Sequence, residues 1–249
     1  MRPETLRDRL VNATDRVFGY PKDSIHFLHV PKTAGSQIKL VVRQVNAGRI
    51  QNRIRAHEHD VRLIDLPSDQ RYFFSTRDPL TRFRSAFHWR QAKGEMKPGK
   101  PRSPNEMRAF GLFESANDLA EALFRPDQRG IDAALAMKSI YHTSRNLVDN
   151  FTLHGFDLVL RPPVWIIRLE HIEEDLAEFL RRIGHDAPVK ATGEDRYARK
   201  QSYDGVPPLS DLAKDNLRRW YTQDYEFLRA CENWLSGNSA GFAHGRVAG

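Results

Sequence analysis

Two short stretches of the chain gather residue types that hold oxyanions, and a third offers a base. The first is HVPKTAGSQ, His29 to Gln37, which carries a lysine, two hydroxyl residues and a glycine. An apolar, β-branched run, Ile25 to Val30, precedes it, and Ile38, Val41, Val42 and Val45 follow at helical spacing, so it reads as a strand-to-helix turn. Backbone N–H groups of Thr33, Ala34, Gly35, Ser36 and Gln37 then crown a helix N-terminus, where the dipole adds partial positive charge and Lys32 a full one. A phosphate or sulfate suits such a cradle. The turn is not a GxxxxGK[ST] loop, because His26 and Pro31 stand where that pattern requires glycine, and this disfavours an ordinary ATP kinase. The plainer reading is an exposed lysine beside a structural glycine in left-handed conformation.

The second stretch, RDPLTRFRSAF from Arg77 to Phe87, follows the strand-like run RYFFST, with Asp78 placed to cap a helix and Pro79 at its first position. Arginine presents a rigid fork of donors suited to a phosphate monoester, and Ser85 can complete the cradle. Arg82 and Ser85, three apart, share a helix face. The competing reading is a solvated basic helix carrying Arg82, Arg84 and Arg90. The third stretch is HEH. Histidine is the side chain most readily neutral and basic near pH 7, so His57 and His59 are candidate general bases, and an extended backbone would put both rings on one side. Against this stands a solvated polar turn. A metal site fails, since HEH is not HExxH and no cysteine accompanies it.

The elements that must position these residues alternate. After a helical pattern at Arg2 to Phe18 come strands at Ile25 to Val30 and Arg71 to Thr76, each running into a helix. Further helical patterns cover Ser115 to Phe124 and Ile131 to Arg145, and short strands are expected at Asp157 to Leu160 and Val164 to Leu169. A helix from Ile172 to Ile183 stops at Gly184, and a long one runs from Ser210 towards Trp234, with Trp220, Tyr221, Tyr225 and Phe227 read as core. The basic segment Lys93 to Arg108 reads as a mobile loop able to cover a substrate. Glu170, at the end of a strand, reads as a carboxylate at a helix N-terminus or a support for the site. Alternating strands and helices imply an α/β fold, a P-loop-like parallel sheet flanked by helices in a single domain. The expected division is a helical extension over 1–24, the α/β domain over 25–236 and a flexible tail over 237–249.

Taken together, HVPKTAGS and RDPLTRFRSAF resemble the 5'-phosphosulfate and 3'-phosphate motifs of sulfotransferases that use 3'-phosphoadenosine 5'-phosphosulfate (PAPS). The closest pattern is that of glycan sulfotransferases such as the heparan sulfate 2-O type. RLEHIEEDLAEFLRRIG and LSDLAKDNLRRWYTQDYEFL resemble later family segments, so the likeness spans about residues 25–235. It implies that Lys32 contacts the phosphosulfate and that Arg77 and Ser85 hold the 3'-phosphate of PAPS or of its product, PAP. Lys200 and Ser202, in RYARKQSYDG, resemble the segment that covers the cofactor. HEH resembles the His-x-His of the 2-O enzymes, implying His59 as base and His57 as its helper or an acceptor contact. The implied partner is a hydroxyl-bearing acceptor, favouring a glycan or glycoconjugate.

Composition is compatible with this and excludes other classes. The 249 residues are 40% hydrophobic, with no apolar run near the roughly 18 that a membrane-spanning helix needs. No apolar leader is visible and there is a single cysteine, Cys231, read as a packed helical residue; a cytoplasmic protein is expected. The net charge of +7 favours anionic ligands without choosing among them. No RNP, zinc-finger or helix-turn-helix signature points to nucleic acid. The alternatives are a noncanonical nucleotide kinase and a noncatalytic basic module binding nucleic acid or acidic polysaccharide.

Overall fold

In the computed structural model the described residues are 21, 23–47, 53–93, 101–187, 189 and 206–239. The expected helix at Arg2 to Phe18, the middle of the basic segment, Lys200, Ser202 and residues 240–249 of the expected tail lie outside them, whereas residues 237–239, expected in the flexible tail, end the last helix. Four parallel strands form the sheet: β1 (Ile25–Leu28), β2 (Ile54–Ala56), β3 (Arg71–Thr76) and β4 (Ile166–Arg168), in the order β2-β1-β3-β4. Ile25 pairs with Ile54, Phe27 with Phe73 and Phe74 with Ile166. Parallel strands need crossovers, and their coverage on both faces makes them continuously apolar. IHFL and YFFS accordingly have no exposed residue.

The strand order places the site. Helix α1 (Gly35–Ala47) carries the chain from β1 to β2 on one side, whereas α2 (Pro79–Lys93) begins the route from β3 to β4 on the other. The connections therefore diverge between neighbouring β1 and β3, leaving a crevice at their carboxyl ends where open α/β sheets bind ligands. HVPKTAGSQ and RDPL are the two loops that leave those ends.

Helices α3 (Pro104–Leu112), α4 (Ala116–Ala122) and α5 (Gln128–Ser139) follow, each opened by a capping side chain: Ser103, Ser115 and Asp127. The basic segment thus ends in a capped helix well before Arg108. A single helical turn, α6 (Asp157–Leu160), replaces an expected strand. The Arg161 N–H closes onto the Asp157 carbonyl at 2.9 Å, the Asp157 carboxylate accepts from Leu153 N–H at 2.8 Å, and Val159 and Leu160 face solvent. Helix α7 (Ile172–Arg182) stops at Gly184, whose φ of 64° suits glycine. The expected long terminal helix is two, α8 (Asp211–Trp220), capped by Ser210, and α9 (Thr222–Ser239), broken at Tyr221. Tyr221 and Phe227 are buried, as is Cys231, whose thiol burial pushes up. Among the described residues no helix is long and apolar enough to cross a membrane.

Candidate active site

The first loop is shaped by two left-handed residues, Lys32 at φ 67° and Ala34 at φ 70°, on either side of Thr33. Such reversals turn successive N–H groups toward one point and form an anion-binding concavity. Thr33 anchors it: the fully buried hydroxyl donates to the Val30 carbonyl at 2.9 Å and accepts from Ser75 of β3 at 2.7 Å. Its side chain is therefore structural, leaving its N–H for the cradle. The Gln37 N–H is engaged by the Ala34 carbonyl at 2.9 Å, closing the first turn of α1. Ser36 is exposed in that turn.

Gly35 is required for a different reason than the sequence suggests, since its φ is not positive. A Cβ there would lie 1.7 Å from Nε2 of His29 and 2.4 Å from its Cδ2. The His29 ring lies directly over the loop, stacked on Phe27 at 5.3 Å and against His59 at 4.0 Å. Burial above all, then the neighbouring His59 and Lys39, lower its pKa from 6.5 to about 2. The folded protein keeps this ring neutral, while the unfolded chain protonates it near pH 6.5. Its contribution is fully present above pH 6.5 and is lost as pH falls toward 2, by about 1.4 kcal/mol per unit. Urea unfolding at pH 7.5 and 5.5 should show this loss in the wild type, and a clearly shallower slope in His29→Asn.

The second loop is held from three sides. Asp78 caps α2, its carboxylate accepting from Thr81 N–H at 2.9 Å and from the Tyr225 hydroxyl at 3.3 Å. Glu170 accepts the Asp78 N–H at 2.9 Å, so this carboxylate fastens the loop rather than capping its own helix. Arg77 then reaches the first loop: Nη1 donates to the Lys32 carbonyl at 3.4 Å and Nε to Thr81 Oγ1 at 3.0 Å. Ser85 lies two turns along α2, half-buried. Arg82 does not share its function. It is buried and paired with Asp224 of α9 at 3.0 Å, while Arg90 is buried against Glu106 and Arg84 holds the Val206 carbonyl. The solvated basic helix is therefore absent too.

The two histidines of HEH part company. The last ladder contact is His57 N–H to the Phe27 carbonyl at 3.1 Å, after which the chain turns. His57 is buried, its Nε2 2.8 Å from Nδ1 of His26, whose Nε2 meets the Gln70 carbonyl oxygen. An amide oxygen only accepts, so His26 carries its proton on Nε2 and His57 donates from its own. His59 turns instead toward the loop. Its Nδ1 donates to the His29 carbonyl at 3.0 Å, which leaves the ring's basic lone pair on Nε2. Arg145 at 2.8 Å and Asn150 at 3.3 Å clamp the His59 carbonyl, and Glu58 pairs outward with Lys39.

Two further residues close a ring of contacts that sequence reasoning missed. The Lys32 ammonium sits 4.9 Å from the Trp89 ring centre; Trp89 and His142 lie 5.2 Å apart, and His142 stands edge-on to His59 at 5.1 Å. The signal for Trp89 was its i+4 spacing from Ser85 on one helix face. His142 had none, being read into a helix that ends at Ser139. The crevice thus joins two helix N-termini, a lysine, an arginine and an imidazole with a defined tautomer. It can hold an anion and accept a proton.

Comparison with known families places this arrangement. Residues 15–133, just under half of the chain, match the model of the Sulfotransferase family, a span holding β1 to β3, both loops and HEH. No curated protein and no solved structure matches the chain. The stretch that builds the crevice, on an α/β sheet of the expected kind, is thus similar to the sulfotransferase family.

Proposed function

We propose that this protein transfers a sulfuryl group from PAPS to an acceptor hydroxyl, on a carbohydrate, with His59 as general base. The observation that carries the reading is the junction of two anion-binding loops between β1 and β3, tied by Arg77 to the Lys32 carbonyl and by Thr33 to Ser75. The donor, when bound, supplies an activated sulfuryl group. Lys32 and the N–H groups of Thr33 to Ser36 offset charge on the departing phosphate, a role that needs donors fixed before reaction. Arg77 and Ser85 hold the 3'-phosphate, with Lys200 and Ser202 covering it. His59 Nε2 takes the acceptor proton, its ring kept in place by the His29 carbonyl. His57 serves by holding the segment that carries His59. The reading includes a single α/β domain over 25–236 and a cytoplasmic setting.

Calorimetric titration tests it without knowledge of the acceptor. PAP should bind the wild type, ATP with magnesium should bind at least about tenfold more weakly, and Lys32→Ala should lose at least about tenfold in PAP affinity, as expected for charge-assisted hydrogen bonds to phosphate. A folded, ligand-free wild type that ignores PAP would remove the donor assignment.

A further inference from the structure

A cleft of about 450 Å³ opens beside the candidate site, within the usual size range of ligand pockets. Its walls include Phe124, Lys138, Ser144, Asn146, Arg219 and Trp220. It begins one residue from His142, since Thr143 and Ser144 of the same turn line it. Phe124 is the unusual member. A bulky side chain at φ 64° is an outlier, yet this residue stays 46% exposed, with the Arg219 guanidinium 4.1 Å from its ring centre and the Trp220 ring at 6.3 Å. His142, next in sequence to the lining residue Thr143, occupies the same sparse region at φ 76°. Backbone strain that presents an aromatic ring to solvent, rather than burying it, points to use of that ring.

We propose that this cleft binds an acidic sugar unit of the acceptor, away from the hydroxyl that receives the sulfuryl group. The inference rests on the carbohydrate reading above. Trp220 and Phe124 offer flat faces to the C–H side of a pyranose, Lys138 and Arg219 meet a carboxylate or sulfate, and Ser144 and Asn146 offer hydrogen bonds to hydroxyls. An acidic peptide would engage the cations but leave the aromatic pair unused. The His142 turn would link the cleft to His59, so that an extended saccharide could lie in both.

Calorimetry on the full chain decides this, with a sulfated, uronate-containing hexasaccharide as probe and PAP titrated on the same samples. Lys138→Glu with Arg219→Glu should weaken the hexasaccharide at least about tenfold, while the control pair Arg181→Glu with Lys214→Glu changes it less than about twofold. Phe124→Gly removes the ring and relieves the left-handed strain, so it should bind at least about fivefold more weakly with melting temperature unchanged or raised. Hexasaccharide affinity unchanged in both cleft variants would overturn the proposal. So would equal binding of polyglutamate, or of uncharged maltohexaose. Failure of the wild type to bind PAP would instead strike the donor reading, and the hexasaccharide result would still report on the cleft.

Discussion

His59→Ala should lower kcat by about 10²–10⁴ with PAP affinity changed less than about twofold, the signature of a lost proton acceptor in a preserved donor site. The expectation follows from the tautomer. The His29 carbonyl can only accept, so the Nδ1 proton is fixed and Nε2 is the basic atom. The acidic limb of the wild-type kcat/KM profile against pH should vanish in the variant. His57→Gln should behave differently, because that ring is buried against His26 and Gln70, and its loss should appear first in stability. A His59→Ala enzyme with wild-type kcat and an unchanged pH profile would assign the base elsewhere.

The second large effect concerns the scaffold. Arg82 and Asp224 are fully buried partners at 3.0 Å, and Asp224 also accepts from the N–H groups of Leu147 and Val148. Burial pushes the Asp224 carboxyl up, against the pull of Arg82 and those donors. Removing one member of such a pair strands a charge, so Arg82→Ala should destabilise by about 3–5 kcal/mol, a large share of the roughly 5–15 kcal/mol typical of a domain. Adding Asp224→Asn removes the stranded charge while keeping an acceptor for Leu147 N–H, and should recover about 2 kcal/mol by urea unfolding. Equal stability of wild type and Arg82→Ala would show that the pair contributes little.

Much of this arrangement is legible in residue order. IHFL and YFFST are buried on both faces, which in a parallel sheet produces unbroken apolar runs, and signals at Asp78 and Ser210 mark helix starts, whereas the helix capped by Ser103 begins inside a segment that reads as a loop. Three-residue β2 escaped because Arg55 interrupts it, and Asp157 to Leu160 misled because apolar residues at the surface mimic a strand. Arg82 shows the deeper limit. Spacing put it on a helix face, but only the distant α9 reveals that the face is interior and carries a countercharge. The same holds for His57 and His59, whose alternation ends where the chain turns. His142 and Trp89 reach the site through tertiary contacts that no local pattern encodes.

The most direct test of the central claim, two loops sharing one nucleotide with divided labour, is calorimetry with PAP and with AMP, which lacks the 3'-phosphate. The wild type should prefer PAP by at least about tenfold, the worth of charge-assisted hydrogen bonds to one phosphate. Arg77→Ala should bring PAP down to the AMP level, whereas Lys32→Ala should weaken both ligands alike and keep the preference. A preference for PAP that survives Arg77→Ala, or a wild type that does not distinguish the two, would contradict the account.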